Sequence, residues 1–250
     1  MSPRRWAAAA LVSAAALAGC SSWQPGSPTV TVFAAASLKS IFTELGALFE
    51  RENPGTAVVF SFAGSSDLVA QLAQGAAADV LATADSRTMA TAVDAGLVSG
   101  APVDFAGNVL TIVTTPGNPQ GITGFADLAA PGVQVVVCAP QVPCGAATER
   151  IEQASGITLA PVSEESGVND VLGKVTSGQA DAGLVYVTDA RAAGHRVQTV
   201  PFTEAESAVN TYPIGVLAES ANQLDARRFV DLVTGSQGQK ALAAAGFTAP

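Results

Sequence analysis

The 250-residue sequence predicts an α/β fold, and the form that we expect is two lobes. Short runs of β-branched and aromatic residues alternate with stretches in which apolar residues recur at helical spacing. The hydrophobic fraction of 48% is enough for a large core. This alternation predicts parallel sheets that are covered by helices on both faces and bind ligands beyond the carboxyl ends of their strands.

The elements follow from local patterns. We predict strands over residues 29–33, 57–62, 79–82, 109–114, 133–138, 182–187, 197–201 and 212–217. The best-defined helix is 38–51, in which one face carries Leu38, Ile41, Phe42, Leu45, Leu48 and Phe49. The other predicted helices are 67–74, 86–95, 125–128, 146–154, 168–176, 224–234 and 237–245, with Gly156 as a C-cap.

The N-terminus has the features of a targeting segment. Arg4 and Arg5 precede an apolar stretch over residues 6–18 that is too short to span a bilayer comfortably. It ends in Leu-Ala-Gly-Cys, which resembles a bacterial lipobox whose cysteine is lipidated, here Cys20. We therefore predict a lipoprotein signal peptide over 1–19, a lipidated tether over 20–28, and a domain held at the outer face of the cytoplasmic membrane.

Composition limits the other classes of partner and site. The net charge of −9 disfavours nucleic acid and anionic membrane surfaces. Outside the cytoplasm Cys138 and Cys144 are free to form a disulfide, although two free thiols remain the alternative. The only histidine, His195, lies in a polar turn and is predicted to be solvated, so we expect no metal-ion ligands and no cofactor.

Sequence motifs give catalysis little support. The chain has neither a Gly-x-Ser-x-Gly elbow nor a P-loop, and His195 has no partner pattern for a serine nucleophile. We therefore predict that the protein is not an enzyme, while an enzyme or a signalling domain on the same lobes stays a competing hypothesis.

Four predicted helices begin in turns of small or hydroxyl residues: 34–37, 61–66, 142–146 and 163–168. Ser37 occupies the position expected for an N-cap. Helix starts present unpaired N–H groups and a partial positive charge, which suit an anion. If the four turns meet in one cleft, they form a cage of hydroxyls and amides.

The four turns contain no lysine or arginine, so neutral dipoles would hold the anion. Such a cage suits a fully ionised oxyanion of the sulfate, molybdate or tungstate type, since a protonated phosphate needs an acceptor for its own O–H. Phosphate stays an open alternative, because Asp67, Glu164 and Glu165 lie near the turns and could accept its proton.

Five blocks resemble the periplasmic molybdate-binding proteins of bacterial ABC importers. They are VFAAASL (32–38), FAGSSDL (62–68), QGAAADVLATAD (74–85), GLVYVTDA (183–190) and YPIGVL (212–217), and the resemblance runs from residue 30 to residue 248. It implies the type II periplasmic-binding-protein fold, which has two mixed sheets flanked by helices and a two-segment hinge. The lobes would be 29–109 with 212–250, and 110–211.

The same resemblance implies the ligand set. The oxyanion would be held by the hydroxyls of Ser37, Ser65 and Tyr186 and by the backbone amides of Cys144 and Val168. Relatives often carry alanine where this chain has Cys144; an amide donor survives that change, and a Cys138–Cys144 bridge would stiffen the loop.

The function implied is capture of molybdate or tungstate by a monomeric lipoprotein and delivery to the permease of an ABC importer. The alternative is a binding protein for another oxyanion, such as sulfate or phosphate.

Overall fold

The structure, a computed structural model, describes residues 28–250. The predicted signal peptide, most of the tether and Cys20 lie outside the described residues. The strands are β1 Thr29–Ala35, β2 Ala57–Ala63, β3 Val80–Ala82, β4 Val103–Asn108, β5 Leu110–Thr114, β6 Val135–Cys138, β7 Ser163–Glu165, β8 Ala182–Tyr186, β9 Gln198–Val200 and β10 Asn210–Val216. The α-helices are α1 Lys39–Glu52, α2 Ser65–Ala73, α3 Ser86–Asp94, α4 Pro143–Ser155, α5 Val168–Thr176, α6 Val187–Ala193, α7 Gln223–Thr234 and α8 Ser236–Ala245.

The strands form two five-stranded sheets, in the orders β2-β1-β3-β10-β4 and β7-β6-β8-β5-β9. In the first sheet β1 is parallel to β2 and β3, whereas β10 is antiparallel to β3 and β4. In the second sheet β6 is parallel to β7 and β8, whereas β5 is antiparallel to β8 and β9. Both sheets are therefore mixed, as the family resemblance implies. The wholly parallel sheets that strand–helix alternation alone predicts are wrong.

The chain passes between the sheets twice, once between β4 and β5 and once between β9 and β10. The two crossings are neighbours, because Asn108 at the end of β4 pairs in register with Asn210 at the start of β10. The two lobes are therefore joined by a hinge of two adjacent segments.

The predicted apolar face of α1 packs into the core of the first lobe. Ile41, Phe42, Leu45 and Phe49 are buried along this helix, which confirms the helical pattern. The ring of Phe229 from α7 lies edge-on to two of them, with centroid separations of 6.0 Å to Phe42 and 5.6 Å to Phe49. This aromatic cluster packs α1 against α7 in the core of the first lobe.

Three elements were missed by the sequence patterns: β4, β7 and α6. β4 carries Asp104, Gly107 and Asn108 and has little β-propensity, so its pairing with β10 determines its conformation. α6 follows β8 without a loop, and the β-branched start of the helix hides the boundary. Helix α4 begins three residues earlier than predicted, at Pro143, since proline suits the first helical position.

Among residues 28–250, no helix has both the length and the apolar character needed to cross a membrane.

Candidate anion-binding site

All four of the predicted helix starts meet in one cleft between the lobes. The cleft contains about 220 Å³ of empty space, part of it open to solvent. Its lining comprises Ala35, Ala36, Ser37, Gly64, Ser65, Ala84, Val142, Pro143, Cys144, Ser166, Gly167, Val168 and Tyr186. The structure therefore brings together all five residues of the expected ligand set, although their contact with an anion stays a prediction.

Ser37 lies in a short 3-10 turn, Ala36–Leu38, that joins β1 to α1. It does not cap a helix as expected, because neither the turn nor α1 has a side-chain cap hydrogen bond. Its hydroxyl instead lies 3.0 Å from the hydroxyl of Tyr212, and the residue is only 7% exposed. The local reason is that Ala35 occupies the N-cap position of the turn. Ser37 therefore lines the cleft, and its hydroxyl is bonded to a distant tyrosine and not to its own helix.

Ser65 is the first residue of α2 and also makes no cap hydrogen bond. Its Oγ accepts a hydrogen bond from the backbone amide of Ala84 at 3.0 Å, so its own proton is left to donate. The neighbouring Ser66 is turned away, since its Oγ donates to the carbonyl oxygen of Gln141 at 2.7 Å. The structure thus favours Ser65 over Ser66 as the residue that faces the cleft.

The second lobe presents helix starts to the same space. Cys144 is the second residue of α4 and Val168 is the first residue of α5. The first N–H groups of a helix have no partner within it, and the helix dipole adds partial positive charge at this end. A disulfide joins Cys144 to Cys138 at the end of β6, with their Cα atoms 5.6 Å apart. The bridge ties the start of α4 to the strand that precedes it.

Tyr186 ends β8 and is buried, with 1% of its surface exposed. Its Oη accepts a hydrogen bond of 2.8 Å from the side-chain amide of Asn210. Burial raises the pKa of this tyrosine well above its ordinary value, and nearby Tyr212, Asp85 and Asp189 act in the same direction. Tyr186 is therefore a neutral phenol at any physiological pH and keeps a proton to donate.

A buried carboxyl lies directly behind Tyr186. Asp189, in the first turn of α6, accepts a hydrogen bond of 3.0 Å from the Tyr186 backbone amide. Burial raises the pKa of this carboxyl to about 7, although the amide hydrogen bond partly opposes the shift. The second lobe therefore holds, behind the lining of this cleft, a carboxyl whose charge changes close to neutral pH.

The lobes touch at the mouth of the cleft, so the structure has the cleft closed. A Cβ atom added at Gly64, in the first lobe, would overlap the carbonyl oxygen of Ser166 in the second. The carbonyl oxygen of Gln141 accepts hydrogen bonds from Ser66 and from Arg87 Nη2, the latter at 3.1 Å. Closure thus depends on a glycine at the point of contact and on two hydrogen bonds across the gap.

None of the described residues that line the cleft is charged. The donors are hydroxyls and backbone amides, which match an ion that accepts on every oxygen. His195 lies on an exposed 3-10 turn, as predicted, and no hydrogen bond within residues 28–250 joins it to a serine or cysteine. The arrangement is suited to binding an anion, and it lacks the nucleophile–base pair that covalent catalysis needs.

Three residues that shape this cleft were not predicted from the sequence. Tyr212 supports Ser37, Asn210 supports Tyr186, and Gly64 permits close approach of the lobes. The sequence does contain a signal for Tyr212. The chain has only two tyrosines, and both Tyr186 and Tyr212 fall in the five blocks that resemble the family.

Comparisons with known proteins agree with this geometry. Residues 30–248 match a family model described as bacterial extracellular solute-binding protein. A molybdate-binding protein, ModA, of Mycobacterium tuberculosis H37Rv is 51% identical over 252 residues, which cover 96% of this chain and 97% of that protein.

Two solved structures share the fold at lower identity. The periplasmic molybdate-binding protein of Azotobacter vinelandii superposes with a TM-score of 0.77 at 21% identity, covering 88% of this chain and 99% of that one. The sulfate-binding protein SubI of M. tuberculosis H37Rv superposes with a TM-score of 0.74 at 23% identity, covering 88% and 86%. Since these two bind different anions, the fold alone does not identify the ion. The family match and the 51% identical relative nevertheless establish that the chain belongs to the bacterial extracellular solute-binding proteins, extracytoplasmic transport components and not enzymes.

Proposed function

We propose that the protein captures molybdate, and also tungstate, in the interlobe cleft and delivers it to the permease of an ABC importer. The observation that carries the proposal is the uncharged cage into which the predicted donors Ser37, Ser65 and Tyr186 and the two helix starts converge. The 51% identity to a protein named molybdate-binding supports the choice of ion.

The binding mechanism follows from the kinds of donor. An oxyanion in the cage would accept from three hydroxyls and from the amides of Cys144 and Val168. Closure removes water from around these donors, and each interaction gains strength because the local dielectric constant falls. A hydrogen bond to a charged group is worth about 1.5–3 kcal/mol, so a handful of them suffices for tight binding without a counter-charge.

The absence of an acceptor argues against phosphate. Near neutral pH phosphate carries a proton, and that O–H requires an acceptor inside the site. No carboxylate belongs to the lining that residues 28–250 provide. Sulfate offers the same acceptors as molybdate, so discrimination between them would come from the size of the cage.

We further propose that the mature protein is a monomer anchored through a lipid on Cys20. The Leu-Ala-Gly-Cys sequence after an apolar stretch supports the anchor, and the Ser-Pro-Gly-containing segment 21–28 would act as a flexible tether. We assign residues 29–109 and 212–250 to one lobe and 110–211 to the other. Replacement of Cys20 by serine should release the protein from membranes of its host, as fractionation and blotting would detect.

Thermal unfolding of the protein from Ser21 onward tests the function, with sulfate, phosphate, molybdate or tungstate added in turn. An anion at about a thousand times its dissociation constant stabilises the folded state by roughly 4 kcal/mol. In a domain of this size the Tm should then rise on the order of 10 °C. We expect the rise with molybdate and tungstate only. A rise with sulfate or phosphate instead would contradict the molybdate assignment but keep the oxyanion cage.

A further inference from the structure

We propose that Asn210 and Arg150 are positioning residues that fix the direction in which the Tyr186 hydroxyl proton points. The tyrosine then meets an oxyanion as a donor and never as an acceptor. The inference rests on the proposed function, because it concerns the same cleft, but it assigns a role to two residues outside the expected ligand set.

Asn210 lies at the hinge, as the first residue of β10, and is 1% exposed. Its side-chain nitrogen lies 2.8 Å from the Tyr186 Oη and 2.8 Å from the carbonyl oxygen of Ala84. A primary amide has two N–H groups, so these two short contacts use both of them. A longer contact of 3.4 Å to the Pro143 carbonyl oxygen shares the same nitrogen.

The orientation of the Asn210 amide is determined by two partners, one that can only accept a hydrogen bond and one that can only donate. The carbonyl oxygen of Ala84 can only accept, so the amide nitrogen must face it. On the other side, Nη2 of Arg150 lies 2.7 Å from Asn210 Oδ1, and a guanidinium can only donate. A reversed amide would place two donors against each other at Arg150 and two acceptors against each other at Ala84. The nitrogen of Asn210 is therefore held toward Tyr186.

The consequence for Tyr186 follows from its single proton. Because its oxygen accepts from Asn210, that proton is directed away from residue 210; within the protein its partner is the hydroxyl of Tyr212, and an anion in the cleft would take that partner's place. The raised pKa of this tyrosine keeps the proton in place. Without the amide the phenol could rotate and present a lone pair to the anion, which would exchange an attraction for a repulsion.

The test measures the affinity of the purified protein for molybdate, tungstate and sulfate, with and without Asn210→Asp. The aspartate places an acceptor where the amide donated, so Tyr186 turns its proton toward residue 210. We expect binding to weaken roughly 10- to 100-fold. In a Tyr186→Phe background the same substitution should cost much less, because no proton is left to direct. An equal fold-loss in both backgrounds would overturn the proposal and leave Asn210 a purely structural role.

A spectroscopic readout separates orientation from shape. The intensity ratio of the tyrosine Raman doublet reports whether a phenol donates or accepts, and Tyr212→Phe leaves Tyr186 as the only tyrosine. When residue 210 is asparagine, addition of an anion that binds should shift this ratio toward the value of a tyrosine that donates a hydrogen bond. With Asn210→Asp the ratio should already be at the donor form before the anion is added. A shift of the same size in both proteins would contradict the proposal.

Arg150→Gln provides a milder variant, since Arg150 is exposed on α4 and its loss should not prevent folding. We expect about 3- to 10-fold weaker binding, again only when Tyr186 is present. Arg227→Gln, exposed on α7 and not among the residues that line the cleft, removes the same charge and should have no such dependence on Tyr186.

The same titrations distinguish the two proposals. Binding of sulfate alone would contradict molybdate capture, and the sulfate affinities of the variants would still test whether Asn210 directs the Tyr186 proton. No binding of any of the three anions by the unsubstituted protein would overturn both.

Discussion

The half of the cleft built on the first sheet offers side-chain hydroxyls, whereas the half built on the second offers backbone amides and one phenol. Ser37 and Ser65 point from the first lobe, and each hydroxyl has a partner of its own, Tyr212 and the Ala84 amide. The second lobe contributes the starts of α4 and α5, together with Tyr186.

Because the two halves of the cleft use different kinds of donor, substitutions in them should affect anion binding differently. A hydroxyl donor disappears when its side chain is truncated, but the N–H group of Cys144 or Val168 survives any substitution other than proline. The first lobe should therefore be sensitive to side-chain chemistry. The second should instead be sensitive to the backbone geometry of its helix starts and to the charge behind Tyr186.

The largest effect is expected from removing both hydroxyls of the first lobe. Ser37→Ala combined with Ser65→Ala should weaken molybdate binding by about 3–6 kcal/mol, since each lost hydrogen bond to the anion costs about 1.5–3 kcal/mol. Isothermal titration would measure the loss. Ser40→Ala with Ser86→Ala, at two exposed positions in helix first turns, is the matched control and should change binding by less than about 0.5 kcal/mol. Equal affinities for the two double variants would show that the first lobe does not bind through its hydroxyls.

A pH series should separate the lobes further, because the buried Asp189 lies in the second. The folded protein keeps the Asp189 proton up to about pH 7, whereas an unfolded chain releases it near the ordinary pKa of 3.8. The stability that this proton contributes is full below pH 4 and is lost as the pH rises to about 7. Asp189→Asn should remove this loss, which amounts to up to roughly 4 kcal/mol.

Urea unfolding of Asp189→Asn and of the unsubstituted protein between pH 4 and pH 8 provides the measurement. The stability of the variant should rise relative to that of the unsubstituted protein across this range. Asp94→Asn, exposed at the end of α3, is the matched control. Parallel pH curves for Asp189→Asn and the unsubstituted protein would contradict a buried, late-titrating carboxyl.

The smallest of these effects concerns the disulfide of the second lobe. Cys138→Ala with Cys144→Ala opens a short loop and should lower the free energy of unfolding by about 2 kcal/mol. Affinity should change less than about threefold, because the residue 144 amide remains at the start of α4. Denaturant unfolding and titration of the same sample would test both statements. A loss of binding as large as that of the serine pair would show that the bridge, and not the amide, creates this half of the site.

The sequence predicted those parts of the site that depend on local chemistry. Ser37, Ser65, Cys144, Val168 and Tyr186 follow from small residues at helix starts and from the five blocks that resemble a known family. It did not predict Tyr212 or Asn210, because the role of each depends on contacts with residues more than 20 positions away in the chain. The capping role given to Ser37 was wrong for the same reason, since its hydroxyl is used by a distant tyrosine.

In the fold, too, elements that depend on local sequence were predicted and those that depend on distant contacts were not. The amphipathic pattern of α1 was sufficient to predict that helix, since its periodicity is a local property. β4 was missed, because pairing with β10 and not its own sequence makes it a strand.

A crystal structure of the protein with molybdate, located by the anomalous scattering of molybdenum, would show directly which groups hold the ion. We expect molybdenum in the cleft, with its oxygens within about 2.7–3.2 Å of the Ser37, Ser65 and Tyr186 hydroxyls and of the Cys144 and Val168 amides. No lysine or arginine should contact the ion. Molybdenum bound elsewhere, or held in the cleft by a cationic side chain, would contradict the conclusion that neutral donors from both lobes hold the ion.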